Sequence, residues 1–208
     1  GDSERKKDNM IGGKIEKGKY HEDNPQPENK PLRRKHRDIL NDKLLTAPSL
    51  VIDCDYASIQ TDKQLASMVT QLSTCVNIIK HAEKPFRLHL TGVHKDLEDR
   101  LFKVNYSNWP ILSTSDPSPL HFHPSTPIDN VVYLSGDSPN TLSTLSPSTV
   151  YIIGGFIDHN THKGLSLSRS SLHGLSTARF PIPAGYHLST NLSVNTCNHI
   201  DNTQVWAY

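Results

Sequence analysis

The sequence predicts an α/β fold, a mainly parallel sheet with helices on both faces, and three observations carry that expectation. Residues 49–54, 131–134 and 150–153 are short, almost wholly apolar runs rich in β-branched side chains, as strands buried on both faces are. Residues 61–79 carry apolar side chains at helical spacing behind a capping signal. Strand-like and helix-like segments then alternate through most of the chain, which is the pattern of strand–helix–strand crossovers.

The apolar fraction of 35% is low for a compact domain, and the deficit falls in the first 45 of the 208 residues. Residues 1–31 are therefore expected to be a disordered tail, 32–47 a basic helix or linker, and 48–208 the folded domain. No window approaches the roughly 18 apolar residues of a membrane span, and the first residues have no apolar core of a secretory signal, so a soluble chain without a membrane role is expected. Cys54, Cys75 and Cys197 are odd in number, far apart and without a C-x-x-C pair, which argues against a disulfide framework or structural zinc and for a reducing compartment. A formal net charge of +1 conceals a cluster: Lys30, Arg33, Arg34, Lys35 and Arg37 fall together with no acid among them. Such a cluster suits phosphate contacts, a nuclear-import signal or a solvated helix start equally well.

In chain order, residues 32–45 form a helix with Ile39, Leu40, Leu44 and Leu45 on one side, stopped by Ala47-Pro48. Residues 49–54 are a central strand ending in Asp53-Cys54-Asp55-Tyr56, where Asp53 reads as a turn or cap residue ahead of a catalytic one. Thr61-Asp62-Lys63-Gln64 is a capping box, and Leu65, Met68, Val69, Leu72, Val76 and Ile79 form the buried stripe behind it, with Gln71 and Lys80 facing elsewhere. Residues 86–91 alternate as a strand, and 95–103 make a short amphipathic helix through Leu97 and Leu101, with Trp109 packing near the turn that follows. The Ser/Pro stretch within 111–119 reads as a surface insertion. His121 and His123 share a face if extended, but with no third ligand nearby they read as exposed strand-end histidines, and no metal is assigned. Residues 131–134 are a strand, and Ser135-Gly136-Asp137-Ser138-Pro139 is a small-residue turn whose proline suits a helix start. A short helix ending at His173-Gly174 and a strand at 177–180 close the alternation.

The chemistry is placed at residues 150–164. A buried strand runs into Gly154-Gly155, read as backbone cleared of side chains for a ligand, and then into Asp158, His159, Asn160 and Lys163. Ligands of open α/β sheets sit outside the carboxyl ends of strands, which suits these residues.

Laid out in this way, the chain resembles the SPOUT-class tRNA methyltransferases that act on N1 of the purine at position nine. The resemblance rests on Val51-Ile52-Asp53-Cys54, Thr61-Asp62-Lys63, Gln71-Leu72, Pro85-Phe86, Ser107-Asn108-Trp109 and Phe122-His123-Pro124. The more diagnostic part is Val132-Tyr133-Leu134-Ser135-Gly136-Asp137-Ser138 and Tyr151-Ile152-Ile153-Gly154-Gly155-Phe156-Ile157-Asp158-His159-Asn160 with His162-Lys163-Gly164. It implies a trefoil-knotted domain, a rare exception among folds, with S-adenosyl-L-methionine bent among three loops. Those loops carry Leu134, Ser135, Gly136 and Asp137; Gly155, His159, Asn160, Thr161, His162 and Lys163 with Leu167 behind; and Phe180, Ile182, Asn195, Thr196, Cys197 and Asn198. Asp158 matches the family's proposed general base. tRNA is the implied partner, with Arg33, Arg34, Lys35, Arg37, Gln71 and Lys80 on its surface, in a monomer of the nucleus or cytoplasm.

Guanine N1 carries a proton at neutral pH, so a carboxylate that accepts it is what methyl transfer to that atom requires. The chain departs from the family where Cys75-Val76-Asn77-Ile78-Ile79-Lys80-His81 stands for Cys-Tyr-x-x-Asn-Arg-Arg, at polar Asn195, and after Ile200, where residues 201–208 have no helical apolar stripe in place of a long final helix. Lysine and histidine do not reproduce the arginine fork on phosphate. Three readings stay open: a guanosine-nine methyltransferase, a catalytically impaired relative that binds tRNA or a protein partner, and, ranked last for want of a G-x-G-x-x-G or Walker-type loop, an unrelated α/β nucleotide-binding domain.

Overall fold

The computed structural model describes residues 30–157 and 164–180. Its elements are α1 (Lys30–Thr46), β1 (Ser49–Asp53), α2 (Asp62–His81), β2 (Arg87–Thr91), α3 (Lys95–Lys103), β3 (Leu112–Ser113), β4 (Val131–Leu134), β5 (Val150–Gly154), α4 (Leu165–Leu172) and β6 (Ser176–Ala178). All pairings are parallel, in the order β3-β2-β1-β5-β4-β6. The chain leaves β1 for β2 on one side and later returns to lay β5 on its other side, so the direction of winding reverses between β1 and β5. The carboxyl ends there are Asp53 and Gly154, which face one another in register. Open α/β sheets bind ligands at the strand ends beside such a reversal.

Parallel strands present alternate residues to each face. Leu50, Ile52, Leu88, Leu90, Tyr151, Ile153 and Leu134 join Met68, Leu72, Val76, Leu97 and Leu101 in the larger core beneath α2 and α3. The other face holds Val51, Ile152, Val131 and Tyr133 with Leu120 and Leu175, and it is the polar one, since Asp53, His89 and Thr91 lie on it fully buried. α2 starts as its sequence demands: Thr61 accepts from the Gln64 N–H, and the Gln64 side chain closes the box on the Thr61 backbone.

Several expectations are corrected. Of the four apolar residues expected on one side of α1, Leu40 and Leu44 pack against the core, while Ile39 and Leu45 are exposed; residues four apart share a line on a helix, and the other two fall to either side of it. The Ser/Pro stretch lies at the surface as expected, but it is paired to the sheet. The Thr114 N–H donates to Leu90 O, Val93 N–H to Thr114 O and Gly92 N–H to Asp116 O, so it continues the sheet edge beside β2. His121 and His123 sit in turns, where His121 pairs with Asp116 at 2.9 Å and the His123 ring meets buried His89. No helix begins at Pro139. The Leu142 N–H donates to Arg179 O, and the Arg179 N–H to Asn140 O, so this Ser/Thr/Pro-rich run lies alongside the end of β6, where its poor helix formers cost nothing.

Candidate active site

The turn after β4, the start of α4 and the end of β6 meet at one end of the sheet. The Ser135 N–H donates to Ala178 O at 2.9 Å, joining the turn after β4 to the end of β6. The Asp137 carboxylate accepts the Gly164 N–H at 2.9 Å, joining that turn to the start of α4. Ser135 is buried and its hydroxyl accepts the Asp137 N–H, which leaves Gly136 and Asp137 as the exposed part of the turn. Leu134 is buried at the strand end, Leu167 is half-buried on α4, and Phe180 packs against the larger core. Asp158, His159, Asn160, Thr161, His162, Lys163, Ile182, Asn195, Thr196, Cys197 and Asn198 lie outside the described residues.

The two glycines make room for the protein's own atoms, and the expectation that they clear a path for a ligand is overturned for their Cβ positions. A Cβ on Gly155 would lie 2.8 Å from Asp53 O and 2.9 Å from Met68 Cε. One on Gly154 would strike the Phe156 ring, which folds back over it. The Gly155 N–H donates to Asp53 O at 2.7 Å, and Gly155 O accepts from Gln60 Nε2 at 3.1 Å. The path out of β5 is therefore held from within, up to Ile157, whose N–H donates to Gln60 Oε1 and whose carbonyl accepts from Gln64 Nε2.

A charged network on the polar face links the end of β1, β4 and α4. Arg169 on α4 reaches Asp53 at 3.0 Å and Asp55 at 2.8 Å, and donates to Pro117 O. Tyr133 OH donates to Asp53 and shares a hydrogen bond with Tyr56 OH at 2.7 Å; the Tyr56 ring stacks at a tilt on Phe156. Partial burial works against the Arg169 charge, but bonding and attraction to Asp53 and Asp55 outweigh it and raise its pKa. Burial pushes the Tyr133 phenol up, and the Asp53 charge adds to this, so both tyrosines stay neutral donors. The network ties the segment before 158–163 to the helix after it.

Of the residues assigned to tRNA, Arg33, Arg34 and Lys35 lie in the first turns of α1 and Arg37 is exposed. Lys80 is exposed near the end of α2, while Gln71 is half-buried and its amide donates to Ser67. Lys43 donates to Ala82 O, which sets α1 beside the end of α2. Among the described residues, no group of three or more His, Cys, Asp or Glu is placed to hold a metal ion, and no helix is long and apolar enough to cross a membrane. Sequence reasoning missed Gln60, Asp55 and Arg169, for which no short-range signal exists; for Gln64 the signal was its amide in a capping box.

Residues 2–203 match the family described as tRNA (guanine(9)-N(1))-methyltransferase TRM10/TRM10A. The chain belongs to this family. It is 33% identical over 155 residues to the tRNA (guanine(9)-N1)-methyltransferase of Eremothecium gossypii, covering 73% of this chain and 50% of that one. It is 27% identical over 176 residues to tRNA methyltransferase 10 homolog A of Homo sapiens, covering 85% and 50%. The chain thus spans about half the length of these relatives. Among solved structures it is similar to full-length spTrm10 in complex with SAH, with a TM-score of 0.69 at 29% identity over 78% of this chain and 92% of that one. A dual-specific Trm10 from Thermococcus kodakaraensis shares the fold, with a TM-score of 0.59 at 16% identity over 77% and 94%. The mainly parallel sheet with helices is that of the family's SPOUT structures.

Proposed function

We propose that this chain transfers a methyl group from S-adenosyl-L-methionine to N1 of guanosine at position nine of tRNA, with Asp158 as general base. The observation that carries the reading is the meeting of the turn after β4, the start of α4 and the end of β6, joined through Ser135, Ala178, Asp137 and Gly164. The resemblance assigns cofactor contacts to residues in or next to each of these segments, and their meeting at one end of the sheet supports that assignment. Gly136 presents exposed backbone there, and the Asp137 carboxylate stands beside it as an acceptor suited to the hydroxyl and amino groups of a nucleoside. The similar spTrm10 binds SAH, the demethylated product of such a cofactor, which supports the same ligand here.

When bound, the cofactor supplies an electrophilic methyl on a sulfonium. The chain's residues hold the target base in line with it and take the N1 proton onto the Asp158 carboxylate as the N1–methyl bond forms and the sulfur–methyl bond breaks. The base leaves the tRNA stack to reach the site. Exposed Lys80 near the end of α2, and the contact of Lys43 with Ala82 O that sets α1 beside that end, support a tRNA surface that runs from α2 onto the basic helix, in a monomer of the nucleus or cytoplasm. One observation favours the second reading, a relative that binds RNA with little transfer. His81 stands where the family has an arginine and turns its ring back onto Asn77 O at 2.8 Å.

Calorimetry with S-adenosyl-L-methionine, followed by methyl transfer to a guanosine-nine tRNA, tests the proposal. Micromolar binding is expected, and Asp158→Asn is expected to slow transfer by about a hundred-fold or more while cofactor affinity changes only a few-fold. Transfer undiminished in Asp158→Asn removes the residue from the base role. tRNA binding without cofactor binding selects the second reading.

A further inference from the structure

Ile157, the residue before Asp158, has both of its backbone polar groups held by side chains from elsewhere in the chain. Its N–H donates to Gln60 Oε1 at 3.0 Å and its carbonyl accepts from Gln64 Nε2 at 2.8 Å. Gln60 Nε2 also donates to Gly155 O at 3.1 Å. One amide that donates to a residue and accepts from the second residue after it reproduces the pairing a neighbouring parallel strand provides. β5 ends at Gly154, so Gln60 continues its pairing where the sheet has none.

Gln64 has a second duty. Its Oε1 accepts the Thr61 N–H at 2.8 Å and the Thr61 hydroxyl at 2.9 Å, which completes the capping box of α2. A glutamate serves that box as well. Only an amide has donors left over, and one of them goes to Ile157 O. The choice of glutamine over glutamate at this position is explained by the loop, not by the helix.

We infer that Gln60 and Gln64 are positioning residues, a two-amide clamp that fixes the backbone from which Asp158 extends and so sets its distance to the proton it removes. The inference rests on the methyltransferase reading above. Proton transfer to a carboxylate requires heavy atoms about 2.6–3.2 Å apart, and a misplacement of about 1 Å costs about a hundred-fold in rate. A clamp on the preceding residue acts directly on that distance.

The decisive variant is Gln64→Glu, because it keeps the capping oxygen and removes the donor to Ile157. Thermal unfolding of Gln64→Glu is expected to stay close to that of the parent. Its single-turnover rate on a guanosine-nine tRNA is expected to fall about ten-fold or more, with the KM for tRNA unchanged. Gln60→Glu, which keeps the acceptor for Ile157 and loses the donor to Gly155, is expected to lose rate in the same way. In an Asp158→Asn background the Gln64→Glu change is expected to add little, since residues acting through one another are not additive. A full additional ten-fold loss in that background overturns the clamp, as does an unchanged rate in Gln64→Glu while the parent is active. A parent chain without any transfer overturns the functional reading itself, and the clamp as a catalytic device with it.

Discussion

Asp53 is a carboxylate with no exposed surface at the end of a central strand, and an unpaired charge there costs several kcal/mol. Its oxygens accept from the Asp55 N–H, Tyr133 OH and the Arg169 guanidinium, so the burial is tolerable. Arg169→Met removes the cationic partner that Asp53 has among the described residues and is expected to destabilise the protein by about 3–5 kcal/mol in urea unfolding. Adding Asp53→Asn to it is expected to restore much of that loss, because a neutral amide needs no counter-charge; a loss that stays unrestored would mean that Arg169 matters for packing alone. Reading Asp53 as a turn residue captures only its local half. Its bond to the Asp55 N–H is the turn contact the sequence suggests, whereas its guanidinium partner is 116 positions away and no local pattern announces it. Gln60 was illegible for the same reason, being 95 positions from Gly155.

Strands and helices with their own periodicity came through from sequence almost to the residue, as α3 at Lys95–Lys103 and β4 at Val131–Leu134 attest. Segments whose form depends on a neighbour did not. The Ser/Pro stretch lies along β2 because edge backbone groups there accept and donate, and the run after Pro139 lies along β6 for the same reason. α1 is read from its leucines, and Arg87 holds its end by donating to Leu44 O, Leu45 O and Ala47 O, satisfying carbonyls a helix terminus leaves open. Its basic start belongs to the proposed tRNA surface. Neutralising Arg33, Arg34 and Arg37 together is expected to weaken tRNA binding and to flatten the slope of log affinity against log salt by about two to three, roughly one for each phosphate that no longer meets a cation. An unaltered slope in a filter-binding titration would take α1 off that surface.

For the molecule as a whole, the polar sheet face makes stability depend on pH. His89 is buried against Phe122 and His123. Burial, helped by the nearby His123 and Arg87 charges, lowers its pKa to about 4 from an ordinary 6.5. The unfolded chain therefore binds this proton first as pH falls, so the stabilisation from a neutral His89 is complete above about pH 6.5 and is lost progressively down to about pH 4. At about 1.4 kcal/mol per pH unit the loss reaches about 3 kcal/mol. His89→Phe is expected to flatten that limb of an unfolding free energy measured from pH 7 to pH 4, and an unchanged limb would place the acid sensitivity elsewhere. Sequence by itself determined the alternation of strands and helices, the capped α2 and, through its motifs, the family, because periodicity, capping and motif spacing are local properties of the chain. Tertiary structure alone decided that the turn after β4 meets the start of α4 and the end of β6, that Gly155 yields its space to Asp53 O and Met68, and that two glutamines hold Ile157. Each of those is a contact between residues far apart in the chain, set by which strand ends the parallel winding brings together.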